Sequence, residues 1–98
     1  MAKQFRYRNK SILKAARGET CTLCGCKDGT VVFAHFNDAW AGKGLGIKAD
    51  DCAGMFCCIA CHYNYDNRGV EGTEFEAWEI LRAYYRTIRR LLDRGILT

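Results

Sequence analysis

A small, single-domain α+β fold is what this sequence predicts, on three observations. The chain has 98 residues with no proline, repeat or low-complexity tract to mark an internal boundary, so residues 1–98 read as one domain. Two short apolar runs, "TVVFAHF" and "MFCC", bracket a glycine-rich stretch. The C-terminal part has the periodicity of an amphipathic helix. A core this small is marginal, and such domains usually need a disulfide, a metal or a partner to hold them together.

The elements follow in order. Residues 1–17 form a basic arm ending in a short helix, "SILKAARG", with Ser11 as its N-cap and Gly18 as its stop. "CTLCGCKDG" is too rich in cysteine and glycine for regular structure and reads as a tight turn. "TVVFAHF" has the β-branched and aromatic content of a buried strand. The 18 residues "NDAWAGKGLGIKADDCAG" read as a long loop, functional or disordered. "MFCC" is a short second strand, and "IACHYNYDNR" a helix starting near Ile59. The final helix spans 73–94, with Thr73 and Glu76 as a capping box and Gly95 as its end. Its apolar face is Trp78, Leu81, Tyr85, Ile88 and Leu92, flanked by Ala77, Ile80, Tyr84 and Leu91, about 160° of the wheel that this reading turns towards the core.

Charge points to a polyanion. The net charge is +4, but Lys3, Arg6, Arg8, Lys10, Lys14 and Arg17 precede the first acidic residue, and Arg82, Arg86, Arg89, Arg90 and Arg94 crowd the last helix. Such clusters attract phosphate backbones, with a solvated basic surface as the plain alternative. The arm reads as flexible and unopposed. On the helix, Arg82, Arg86 and Arg89 form one stripe, with Glu79 within reach of Arg82 or Arg86. Lys43 and Lys48 on the glycine-rich loop could grip a strand, and Trp40 could stack on a base. No apolar run approaches the roughly 20 residues of a membrane span, so no membrane partner is expected. A reducing cytoplasm is the expected compartment, where thiols bind metal more often than they form disulfides.

The seven cysteines favour metal. Cys21 and Cys24 form one C-x2-C pair and Cys58 and Cys61 a second, the framework of a tetrahedral thiolate zinc site. Cys26 could replace Cys24, and Cys57 could replace Cys58. A redox role for these pairs is disfavoured, because nothing around them has a thioredoxin-like βαβ pattern. "GKGLGIK" lacks the spacing and the final Ser or Thr of a P-loop. With zinc on the thiols, His35 at the end of the first strand and His62 directly after the last zinc cysteine are spare. The zinc would clamp strand and helix so that both imidazoles reach one cleft.

A C-x2-C pair, an apolar strand ending in histidine, a loop, and C-x2-C-H on a helix together resemble the HNH, or ββα-metal, endonucleases with an added zinc knuckle. More narrowly, "KAARGETCTLC", "FAHFNDAWAGKGLGIKADD" and "CIACHYNYDNR" resemble the YbcO-type phage and prophage nucleases, related to phage recombination endonucleases acting on branched DNA. The resemblance covers about 14–68. It implies a zinc-bound ββα core over 21–68 with flanking helices, in a bacterial host cell. It further implies a metal-dependent DNA endonuclease in which His35 is the general base and His62 binds a catalytic Mg²⁺ or Mn²⁺. Many such enzymes carry an acid before the base histidine, and here that position is Ala34. Asp66, four residues after His62 on the same helix face, is the first choice for a second metal ligand, with Asp38, Asp50 and Asp51 behind it. DNA contacts fall to Arg6, Arg8, Lys43, Lys48, Arg82, Arg86 and Arg89. The alternative is a zinc-ribbon module that binds nucleic acid without cutting it, and nothing in the pattern excludes a homodimer.

Overall fold

Asn9, not Ser11, starts the first helix. In the computed structural model, which describes residues 6–37, 39–44, 46–67 and 75–97, the Asn9 side chain accepts from the Ser11 amide at 3.0 Å and caps α1 (Lys10–Ala15). The reason is where the chain comes from. Residues 7–9 are pinned on the loop before the second strand: the Asp51 amide donates to the Tyr7 carbonyl, and the Asn9 amide donates to the Asp51 carboxylate. The arm is therefore fixed from Tyr7 onwards, against the expectation of a free tether. Lys3 lies outside the described residues.

Strands β1 (Val32–His35) and β2 (Gly54–Cys57) pair antiparallel, with His35 opposite Gly54 and Phe33 opposite Phe56. Gly54 has to be glycine. A Cβ there would stand 2.5 Å from the Ala34 carbonyl oxygen and 2.6 Å from the Phe33 ring. The connection between the strands is ordered rather than slack. It contains a 3-10 turn (Ala39–Ala41) and a bridge between Gly44 and Ile47, and the Asp50 amide returns to the Ala41 carbonyl. Asp38 is outside the described residues.

Helix α2 (Ile59–Asp66) follows β2 after one residue, as expected. Helix α3 (Ala77–Asp93) starts later than the sequence suggests, with Glu76 as N-cap and Glu79 closing the capping box; Thr73 is outside the described residues. Because Glu79 accepts from the Glu76 amide at 2.8 Å, that carboxylate is spent on the cap.

The hairpin supplies the middle of the core. Phe33, Met55, Phe56 and Cys57 are buried with Ile12 of α1, Tyr65 of α2, and Ala83 and Leu91 of α3. α3 meets β2 along Ile80, Ala83, Thr87 and Leu91, not along the Trp78, Leu81, Tyr85 and Leu92 face, which is exposed. The cause is a close approach. Thr87 accepts from the Phe56 amide at 3.0 Å and donates to the Ala83 carbonyl, so small side chains must lie on the contact line. Among the described residues, no helix is long and apolar enough to cross a membrane.

Candidate functional site

Four thiols converge where the loop 21–26 meets the first turn of α2. The sulfurs of Cys21, Cys24, Cys58 and Cys61 all lie within 4.8 Å of one another, and Cys24 and Cys58 are 3.7 Å apart. Sulfurs bound at about 2.3 Å around a tetrahedral zinc stand about 3.8 Å from each other, so the arrangement fits that ion. The backbone is shaped for it: Gly25, at φ +82°, turns the chain so that its amide reaches the Cys21 carbonyl, and the Cys24 amide points at the Cys21 sulfur at 3.5 Å.

The thiols also compete for charge. A hydrogen bond with the Cys57 thiol holds Cys21 down to about 3, while Cys57 itself is pushed far up by that bond and by burial. Burial and the negative charge on Cys21 push Cys61 up as well. One thiolate makes the next one costly, and a divalent cation removes that penalty. The two alternative ligands lie beside the four-cysteine group, not within it. Cys57 sits on β2 as a partner to the Cys21 sulfur. Cys26 is pushed up to about 12 by hydrogen bonds with Cys24 and Cys58, and belongs to a smaller group with Asp28 and Cys58.

The two histidines are engaged by different carboxylates. His35 Nε2 is 2.7 Å from Asp51 Oδ1, and the Phe33 ring stands edge-on to the imidazole. Asp51 is almost fully buried and held from several sides: Asn9 donates its amide at 2.8 Å, and the Arg8 guanidinium lies 3.6 Å away. Burial raises the Asp51 pKa, but the His35 and Asn9 hydrogen bonds outweigh it and keep the carboxyl below its ordinary value. An ionised carboxylate only accepts, so Nε2 carries a proton, and in the neutral form of the ring the lone pair falls on Nδ1.

His62 Nε2 is 3.1 Å from Asp66 Oδ2 on one face of α2, and both side chains are partly open to solvent. Asn37 ties this helix to the end of β1. Its side-chain amide donates to Asp66 Oδ1 at 3.1 Å, and its backbone amide donates to the Tyr65 hydroxyl at 3.2 Å. Among the described residues, no group of three ligand atoms within 4.8 Å of one another includes either histidine.

The family model described as "Putative nuclease YbcO" matches residues 10–96. The chain belongs to the YbcO nuclease family. Membership implies hydrolysis of phosphodiester bonds and a nucleic-acid substrate. No curated protein and no solved structure matches the chain.

In this YbcO family member the predicted basic contacts divide into two sets. Arg6, Lys43 and Lys48 are exposed. Arg8 is turned inward onto the Ala49 and Lys48 carbonyls at 2.7 and 3.0 Å. Arg82 covers the Trp78 ring at 4.9 Å, Arg86 donates to the Thr22 carbonyl at 3.2 Å, and Arg89 pairs with Asp93 at 3.2 Å. Arg90 and Arg94 reach the Thr20 and Ala15 carbonyls and Glu19. Sequence reasoning placed Asp51 among the weaker metal candidates, whereas it is the partner of His35. It passed over Asn37 and Asn9. No local pattern marks Asp51 and Asn37, since each acts on a residue brought near only by the fold, while Asn9 shows locally only as the N-cap of α1.

Proposed function

We propose that this YbcO family member is an HNH-type, metal-dependent DNA endonuclease, working in the bacterial cytoplasm on phage recombination intermediates. The observation that carries the reading is the His35–Asp51 pair. A surface histidine has no need of a buried, multiply anchored carboxylate, but a general base does, because the carboxylate fixes the tautomer and supports the imidazolium formed on proton uptake.

In this reading His35 Nδ1 takes the proton from a water that attacks the scissile phosphorus in line. Asp51 stays ionised and offsets the charge that arrives on the ring. His62 and Asp66 would hold Mg²⁺ or Mn²⁺: an imidazole nitrogen and a carboxylate oxygen 3.1 Å apart, open to solvent, suit a hydrated cation that leaves sites for phosphate oxygens. That ion supplies charge neutralisation at the phosphate. Asn37, through its bond to Asp66 Oδ1, orients the carboxylate and leaves Oδ2 to the cation. The four-cysteine site has a separate task as the structural zinc. Arg6, Lys43 and Lys48 are the exposed cations best placed to meet the phosphate backbone.

The test is cleavage of labelled duplex, nicked, single-stranded and branched DNA, with and without Mg²⁺ or Mn²⁺. Wild-type protein should cut one of these only with metal. His35→Ala should lose at least about 100-fold in rate while keeping its zinc and its DNA affinity. A wild type that binds DNA but cuts none of the panel would favour the zinc-ribbon binding module instead.

A further inference from the structure

An apolar stripe of regular spacing runs along α3 beside its core contacts, with Ile88 partly buried against the core. Trp78, Leu81, Tyr85, Ile88 and Leu92 follow one another at steps of 3, 4, 3 and 4 residues, the spacing that keeps one stripe facing a partner helix. Four of them are substantially exposed: Trp78 57%, Leu81 68%, Tyr85 66% and Leu92 45%. Beside the N-terminal half of the stripe lies an apolar groove of about 560 Å³, with Phe36, Tyr84 and Ile80 among its lining residues, Leu81 shared with the stripe, and Trp40, itself 77% exposed, on the other side.

We infer that this face is a self-association surface, and that its occupant is α3 of a second copy of this chain, packed antiparallel across a two-fold axis at Tyr85. Three arguments select that occupant. The stripe is nearly symmetric about Tyr85, so an antiparallel copy sets Tyr85 against Tyr85, Leu81 against Ile88, and Trp78 against Leu92. Trp78 then meets the smaller Leu92, like-sized side chains meet at the other positions, and the two helix dipoles oppose each other favourably.

Area is the second argument. A large side chain offers about 150–250 Å², so the four exposed residues and Trp40 from two copies would bury on the order of 1,000 Å², the size at which specific interfaces begin. The third argument is charge. Of the cations that flank the stripe, Arg89 is paired with Asp93 and Arg82 lies over the Trp78 ring with its Nε lacking a hydrogen-bond partner, so the stripe itself carries no charge and Arg82 stands at its rim. Residues 68–74, the stretch just before the helix, contribute only one large apolar side chain, Val70, too little to cover five positions.

Sedimentation velocity on the zinc-loaded full chain tests the inference independently of any cleavage. At about 100 μM, well above a micromolar Kd, the wild type should run as a dimer. Tyr85→Lys and Tyr85→Glu should each be monomeric, because each sets two like charges side by side on the axis. Mixed in equal amounts, they should form a heterodimer. Leu81→Lys gives a second monomer in case a Tyr85 variant fails to fold, with zinc content and helicity as the folding check. A monomeric wild type, a dimer that survives both Leu81→Lys and the Tyr85 changes, or two Tyr85 variants that stay monomeric when mixed would each overturn the proposal.

Discussion

Asp51 is the residue on which most of the candidate site depends, and its removal should cost both stability and rate. Asp51→Ala leaves the Asn9 amide and the His35 Nε2 proton without an acceptor in a buried position. Losing a buried, charged acceptor should destabilise the protein by about 2–4 kcal/mol, measured as a shift in denaturation midpoint. The sign of the pH dependence follows from the lowered carboxyl. Because the folded value lies below the unfolded one, the wild type's advantage is complete above about pH 4 and shrinks as the pH falls through the folded value. A gap that widened on acidification would contradict this assignment. At this scale the sequence is legible where chemistry is local. The two C-x2-C pairs announce themselves by spacing and come together in the fold. His35 and Asp51, 16 residues apart on a strand and in a loop, share no periodicity that could link them. The loop aspartate therefore looks like a turn former until the chain is folded.

At the scale of elements, α3 is read correctly as an amphipathic helix, but its packing face is rotated to one edge of the predicted apolar arc. There the flanking Ile80, Tyr84 and Leu91 meet the core, while the central Trp78, Leu81, Tyr85 and Leu92 stay exposed. Hydrophobicity selects the line of large side chains. The fold selects the line of small ones, because Ala83 and Thr87 let the helix come within hydrogen-bonding distance of β2. The same rotation reassigns the arginines. Arg86, Arg90 and Arg94 stand at i, i+4 and i+8 and each donates to a carbonyl in the segment 15–22. Arg89, outside that line, pairs with Asp93 in solvent. Arg90→Gln should therefore lower stability by about 1–2 kcal/mol, while Arg89→Gln should stay within about 0.5 kcal/mol. Chemical denaturation of the two variants side by side gives the comparison, and equal losses would show that the inward stripe does not hold the helix. Helices α1 and α2 and both strands fall where their sequences place them, to within a few residues.

For the molecule as a whole, the four-cysteine cluster is tied to more than its own loop. Thr22, between the first two zinc cysteines, donates both its amide and its hydroxyl to the Phe56 carbonyl at 2.8 Å, and its own carbonyl receives Arg86 of α3. Chelation at neutral pH should accordingly unfold the chain as one unit, with loss of α3 helicity together with the near-ultraviolet signal of the core. Elemental analysis before chelation should give about one zinc per chain, lost in Cys61→Ala and kept in Cys26→Ala. A metal-free chain with an intact α3 would break this link. The Thr22 contacts also settle how the two-stranded sheet ends. An open edge strand is a template for foreign chains, and "GMFC" is apolar enough to recruit them. Here the outer edge at Phe56 is sealed on both counts, its amide by a helix hydroxyl and its carbonyl by the loop that carries Cys21 and Cys24. Demetallation would unseal half of that edge beside Met55 and Cys57. A zinc on the four cysteines would then guard against amyloid-like stacking as well as staple the fold, and chelated protein should accumulate β-rich aggregates that bind thioflavin T, while the metal-loaded chain remains clear.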